Sequence, residues 1–125
     1  MATPTFTGRI SYQDGSVAQW TWTLTTADPN GVAIEMPEWA DRNFQVGIAG
    51  DAFGGATCSI QGSNDGVTFS TLSNAAGATA ATFTAAGFKT IIELPRFMRP
   101  SLTAVGVGAT ITCILVARRA NPLRT

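Results

Sequence analysis

Histidine is missing from these 125 residues altogether, and lysine occurs once, at Lys89. Without histidine, the commonest general base and the commonest metal ligand are both gone. Charge of either sign is scarce: 13% of residues are Asp, Glu, Lys or Arg, about half the usual share of ~25%. Eight basic and eight acidic residues cancel, so no net field draws the chain to nucleic acid or to an anionic membrane. Long apolar runs are lacking too. The longest, around residues 111–117, is strand-sized and too short to span a bilayer. The opening MATPTFTGRIS has no apolar stretch of the kind a secretory signal needs, so the expectation is a soluble chain made in a cytoplasm. Cysteine is limited to Cys58 and Cys113, each inside a predicted strand beside apolar neighbours. They read as two buried free thiols acting as small hydrophobes, with an inter-sheet disulfide as the other reading.

The acids that remain do not assemble into a reaction centre. Asp14, Asp28, Glu35, Glu38, Asp41, Asp51, Asp65 and Glu93 fall mostly in predicted loops. A glycosidase needs two carboxylates across a cleft, and no spacing singles out even a pair such as Glu35 with Glu93. A serine or cysteine nucleophile would have only Lys89 or a carboxylate as its base. Asp51 and Asp65 sit in glycine-rich loops without the clustered oxygens of a calcium loop. The glycines at 50–55 are followed by neither Lys-Ser/Thr nor a helical pattern, which excludes a phosphate-cradling role. The expectation is a protein with no catalytic residue, no metal and no cofactor.

What the sequence does have is period-two alternation punctuated by turn-formers. In residues 56–72, ATCSIQGSNDGVTFSTL, Cys58 and Ile60 alternate with polar neighbours, five turn-formers follow, and Val67 and Phe69 resume the apolar rhythm. That is a hairpin with a longer loop. VAQWTWTLT puts Trp20, Trp22 and Leu24 on one face and Gln19 with threonines on the other. Val32, Ile34 and Met36 alternate in another strand, NFQVGIA, FKTIIEL and ATITCILVA read as further ones, and FMRPSLT as an edge strand or a bulge because of Pro100. A first short strand is expected over 9–12, a weak one near 80–84, and a single helical turn within 37–42. Residues 1–7 and the basic tail 118–125 are read as arms around a single domain, 1–125. Eight or nine strands with no helix imply an antiparallel β-sandwich of jelly-roll or Ig-like type.

Two groups of residues stand out as candidate contacts. Trp20 and Trp22, one pleat apart, and Trp39 read as core or protein interface, or as a carbohydrate-stacking platform if exposed. Arg96 and Arg99 bracket Phe97, while Arg118 and Arg119 close the last strand. Arginine and aromatics with almost no lysine is an interface-like composition; the plainer reading is solvated strand-end charge that discourages edge pairing.

The stretches IQGSNDGVTFSTL and FKTIIELPRFMRPSLTAVGVGATITCILVARR, within residues 44–119, resemble small structural proteins of tailed bacteriophages. The shared features are a GSNDG hairpin, an Arg-x-x-Arg-Pro strand, a glycine turn and a final apolar strand ending in Ala-Arg-Arg. Such proteins are similar in role to head decoration or cement proteins. The resemblance implies a non-enzymatic virion protein on the capsid exterior. Its partners would be the major capsid protein and further copies of itself, as a dimer or trimer, without nucleic acid or membrane. A tail or head–tail connector position is the neighbouring possibility. The same pattern is similar to discoidin-like carbohydrate-binding jelly rolls, which implies a glycan partner instead. Against that family the chain is short and lacks an obvious calcium loop.

Overall fold

The computed structural model describes residues 1–7, 17–103 and 107–119. Where alternation runs long enough to carry a ladder, it becomes a strand. VAQWTWTLT forms β2 (Val17–Thr25), with Ala18, Trp20, Trp22 and Leu24 buried and the intervening residues outside. TITCILVARR forms β10 (Thr110–Arg119), with Ile111, Cys113, Leu115 and Ala117 fully buried. The other strands are β1 (Thr5–Thr7), β3 (Ile34–Glu35), β4 (Trp39–Val46), β5 (Thr57–Ser63), β6 (Ser70–Thr71), β7 (Thr82–Phe83), β8 (Gly87–Thr90) and β9 (Phe97–Thr103). Ten strands among the described residues exceed the expected eight or nine because three of them are two residues long. The strand expected over 9–12 lies outside the described residues.

All strand pairs are antiparallel, and they make two sheets. One runs β1-β2-β10-β4-β8; the other runs β3-β9-β5-β6, with β7 also on β5. The pairs β2·β10, β3·β9, β4·β8 and β5·β6 are nested one inside the next along the sequence. That nesting winds the sandwich as a jelly roll and sets it apart from the Ig-like alternative. The segment 1–7 is extended and held in place. Thr5–Thr7 pairs with β2, Ala2 N–H donates to Asn30 O at 2.8 Å, and the terminal ammonium lies 3.0 Å from Asp28. Arg118 and Arg119 belong to β10, and the rest of the expected tail falls outside the described residues.

Between the sheets lies one apolar core. Trp22, Leu24, Met36, Phe44, Val46, Ile60, Met98, Ile111 and Leu115 are inaccessible to solvent. Full burial of each Leu, Ile, Phe or Met contributes roughly 1.5–3 kcal/mol. Trp22 stacks on Phe44 at 6.1 Å between ring centroids, and its indole N–H donates to Val32 O at 3.0 Å, so the one polar atom of the ring is satisfied inside.

Three local departures from the sequence reading have clear causes. Residues 37–42 hold no helical turn; the chain turns after Met36 and enters β4 at Trp39. Val116 pairs with Asn43 but Arg118 pairs with Ala40, so Asp41 and Arg42 together face Ala117 in a β-bulge. Asp41 takes the left-handed conformation there (φ 48°), one of the few residue types that tolerates it. The extra residue resets the alternation and points Arg42 into the interior, where it is 1% exposed.

Pro100 does not mark an edge either, since β9 lies between β3 and β5. Opposite Pro100, Ile60 sends its N–H to Ala81 O (3.0 Å) and accepts from Leu72 N–H (2.9 Å), both away from β9. The Pro100 carbonyl accepts from Gly31 N–H at 2.9 Å on the β3 side. The missing proline N–H therefore faces the side where β3 has already ended, and no ladder bond is lost. Finally, FKTIIEL is a strand only as far as Thr90, and Ile92 stands 49% exposed beyond it.

Candidate interaction surfaces

The turn after β5 is built by side chains that answer its own backbone. Ser63 Oγ accepts from Gly66 N–H at 2.9 Å and donates to Asp65 Oδ1 at 2.7 Å. Asp65 Oδ1 also accepts from Val67 N–H and Thr68 N–H, each at 2.8 Å. These donors, the Ser63 hydroxyl first and then the two amides, hold the Asp65 carboxyl well below the usual carboxylate range. Gly66 supplies the φ of +77°. Val67 does not resume the inward rhythm; it is 82% exposed at the tip.

Asn64 Oδ1 accepts from Arg96 N–H at 3.0 Å, tying this turn to the start of β9. A groove of about 430 Å³ lies alongside, lined by Ser63, Asn64, Glu93 and Pro95 among others. Two of its polar atoms are engaged within the chain, Glu93 Oε1 by Ser73 N–H at 2.7 Å and Asn64 Oδ1 by Arg96 N–H. The Ser73 amide is also what keeps the Glu93 carboxyl below its ordinary value. Among the described residues, no three of His, Cys, Asp or Glu gather where a metal ion could sit.

The candidate contact residues divide into three locations. Trp20, Trp22 and Trp39 are in the core at 7%, 0% and 7% exposure. Trp20 meets Trp39 edge-on at 5.6 Å, whereas Trp22 stacks elsewhere, on Phe44. They are not a surface platform, because the face of β2 that carries Trp20 and Trp22 closes against the second sheet and Trp39, at the start of β4, is buried against Trp20. Arg96, Phe97 and Arg99 do come together, on the outer side of the second sheet. Arg96 is paired with Glu35 and sits over the Phe97 ring at 5.3 Å. Arg99 donates to Gln61 Oε1 at 3.0 Å and lies 4.0 Å over the Phe69 ring. Its partial burial lowers the guanidinium pKa.

Arg119 reaches Glu38 at 3.8 Å and the Trp39 ring at 5.4 Å, and Arg118 is exposed beside it. The two arginine groups flank one corner of the molecule. The turn that joins β3 to β4 carries Glu35 at one side and Glu38 at the other, and its Met36 N–H donates to Arg96 O at 2.8 Å. Most of these arginines have partners within the chain, so the composition alone overstates how much cation is free for another molecule.

The surface that sequence reasoning missed is the outer face of the first sheet. Register places Thr5, Thr21, Ile114, Gln45 and Phe88 in one row across all five strands. The neighbouring row holds Gln19, Val116, Asn43 and Thr90, and beyond it Thr23 faces Thr112 on the other flank of the first row. None of these side chains is charged. Phe88 is 67% exposed, and Ile114 and Val116 are half-buried among threonines and amides. The signal was present in the sequence as threonines alternating with the apolar stripe, but it takes register to show that four further strands line up the same way.

The other unanticipated residue is Arg42. Its Nε donates to Trp39 O (2.9 Å), one terminal nitrogen to Pro95 O (2.7 Å) and the other to Met36 O (2.8 Å), with Met98 Sδ at 3.0 Å. Met36 follows β3 and Pro95 precedes β9, so a side chain from the first sheet binds two carbonyls of the segments that flank strands of the second. Burial pushes its pKa down to about 10, which leaves it charged at neutral pH. No protein-family model matches the chain, and no curated protein sequence matches it.

Proposed function

We propose that this is a non-enzymatic structural protein of a tailed-phage virion. In this reading it lies on the outside of the capsid and stabilises it by clamping neighbouring capsid subunits. The observation that carries the reading is the pair of uncharged rows on the outer face of the β1-β2-β10-β4-β8 sheet, Thr5 to Phe88 and Gln19 to Thr90, with Arg118 in the row beyond. Five strands at ~4.8 Å spacing and six or so residues at ~3.3 Å rise give a flat face of roughly 400 Å². That is about half of one partner's share in a standard interface, too little for tight binding by a single copy. Repeated over a lattice, or through a dimer or trimer, the same contact gains strongly by avidity. A protein that binds the assembled lattice and not its dissociated subunits shifts the equilibrium toward the lattice. The phage-like GSNDG hairpin and Ala-Arg-Arg strand end supply the setting, and viral capsid domains are among the proteins that use jelly rolls.

The test is direct. Gln45→Glu and Ile114→Lys each put a charge in the middle of the face, and neither side chain is needed by the core. Each variant should keep the wild-type thermal transition within about 2 °C, yet fail to sediment with purified particles. Mass-spectrometric stoichiometry of wild-type particles should give a copy number in step with the capsid lattice. A copy number matching one ring of a tail or connector would overturn the decoration reading, as would unchanged particle binding by both variants.

A further inference from the structure

Cys58 of β5 and Cys113 of β10 point at each other across the middle of the sandwich. Their sulfurs are 3.7 Å apart, both residues are fully buried, and both are free thiols. Each belongs to an interior strand. Cys58 pairs with Leu102 on one side and Phe83 on the other, and Cys113 with Trp22 and Val46. Neither backbone is free to drift. A disulfide needs the sulfurs at about 2.05 Å, an approach of under 2 Å from where they stand.

We propose that Cys58 and Cys113 are a modification site, closing into an inter-sheet disulfide when the protein meets a low-molecular-weight disulfide such as oxidised glutathione. This stands apart from the virion reading, since it depends only on the two sulfurs. In the first step one cysteine loses its proton and attacks a glutathione sulfur. A mixed disulfide forms, and one glutathione thiolate leaves and takes up the proton. In the second step the other cysteine, deprotonated in turn, attacks the protein sulfur of that mixed disulfide. The Cys58–Cys113 bond forms and the second glutathione departs, protonated. Two electrons pass from the thiol pair to the oxidant, which becomes two glutathione molecules.

The interior sets the timing. The mutual S–H contact and then burial raise the Cys113 pKa well above the ordinary thiol value, so little thiolate exists in the closed protein. A tripeptide also cannot enter a dry core. The first exchange therefore waits for a transient parting of the sheets or for refolding in an oxidising medium, and the second expels the intruder and lets the core close. The bond would span 55 positions of sequence, a long loop whose closure removes much unfolded-state entropy.

The experiment uses the wild-type chain. Reduced protein is incubated with oxidised glutathione in low urea, then alkylated under full denaturation and weighed. The expected product has lost two hydrogens, takes up no alkyl group, and yields a peptide linking Cys58 to Cys113. Its thermal midpoint should rise by roughly 10 °C and return on treatment with dithiothreitol. Cys58→Ala should stop at a stable glutathione adduct on Cys113, and Cys113→Ala gives the reciprocal check. Two alkylatable thiols or persistent adducts in the wild type would overturn the proposal, leaving the pair as small hydrophobes. So would a linked form no more stable than the reduced one.

Discussion

Arg42 offers the sharpest test of how the two sheets are held together. Its guanidinium makes three hydrogen bonds to backbone carbonyls, at 2.7–2.9 Å. Bonds from a charged donor contribute about 1.5–3 kcal/mol each, so the three together contribute on the order of 5–8 kcal/mol. Removing a guanidinium from water takes back several kcal/mol of that, less than for an ammonium because it is the more weakly hydrated cation. Arg42→Met keeps the length and apolar stem but takes the charged donor from all three carbonyls, of which Met36 O still accepts from Trp39 N–H at 3.2 Å, and should destabilise by about 3 kcal/mol. With a urea m-value near 2 kcal/mol/M, the unfolding midpoint should drop by roughly 1.5 M. Arg42→Lys keeps the charge but not the planar fork, and should fall between the two. Arg99→Met serves as the control. That guanidinium lies outside, over Phe69, and its loss should cost under about 1 kcal/mol. An Arg42→Met midpoint equal to or above wild type would refute the reasoning, for it would mean the carbonyls are satisfied without the arginine. Arg42 should add no pH dependence below about pH 9. Its folded pKa is lowered, so the unfolded chain binds the proton more tightly, and stability from this residue rises only as pH climbs past about 10.

Acid should report on Asp65. Its folded pKa is depressed, so its contribution is whole above the unfolded carboxylate pKa and lost as pH falls below about 4. Thermal melts from pH 6 to pH 2 should show wild type losing ground to Asp65→Asn, which retains an acceptor oxygen; parallel curves would refute this. Gly66→Ala combines a φ of +77° with a new Cβ 3.3 Å from the Phe97 ring, and should cost about 1–2 kcal/mol in chemical denaturation. Gly31→Ala would push a Cβ to 2.9 Å from both Pro100 Cδ and Trp22 Cδ1, and should lower the thermal midpoint by several degrees. Asp51 takes the place of a strand partner for β10, accepting from Thr112 N–H at 2.7 Å and Ile48 N–H at 2.9 Å. Asp51→Ala should therefore cost about 1.5–3 kcal/mol and speed hydrogen exchange at the Thr112 amide.

The long strands were legible because burial on one face writes a period of two into the sequence. VAQWTWTLT and TITCILVARR each carry enough repeats for that period to stand clear of chance. ST, at two residues, carries none, so β6 exists only through what it pairs with, whereas β3 falls within the alternation of Val32, Ile34 and Met36 and β7 within the weak strand expected near 80–84. Arg42 hid behind a bulge. Once Asp41 is left-handed, the residue after it changes faces, and a strand entry looks like a polar turn. The tryptophans were legible as a stripe, but which side of a stripe meets solvent is decided by the other sheet. The arginines were visible as cations, whereas Glu35 and Glu38 became their partners only through the turn that links β3 to β4. The Cys58–Cys113 contact is a matter of one sheet's position on the other, which no local pattern encodes.

The nested pairing has a consequence for how the molecule comes into being. β5 and β6 are neighbours in sequence and can meet early, but each pair outside them joins segments further apart, until Val17 lies beside Arg118. Closing such distant contacts is slow compared with forming local ones. During synthesis, β2 and β4 must wait with their ladders open until β10 has emerged to lie between them. Until then the stripe of Trp20, Trp22 and Leu24 has no lid, and two strands rich in unpaired backbone are available to other chains. A polypeptide stopped short of β10 would be an aggregation hazard and not a smaller working domain, so the emergence of that strand is the step that makes the fold safe.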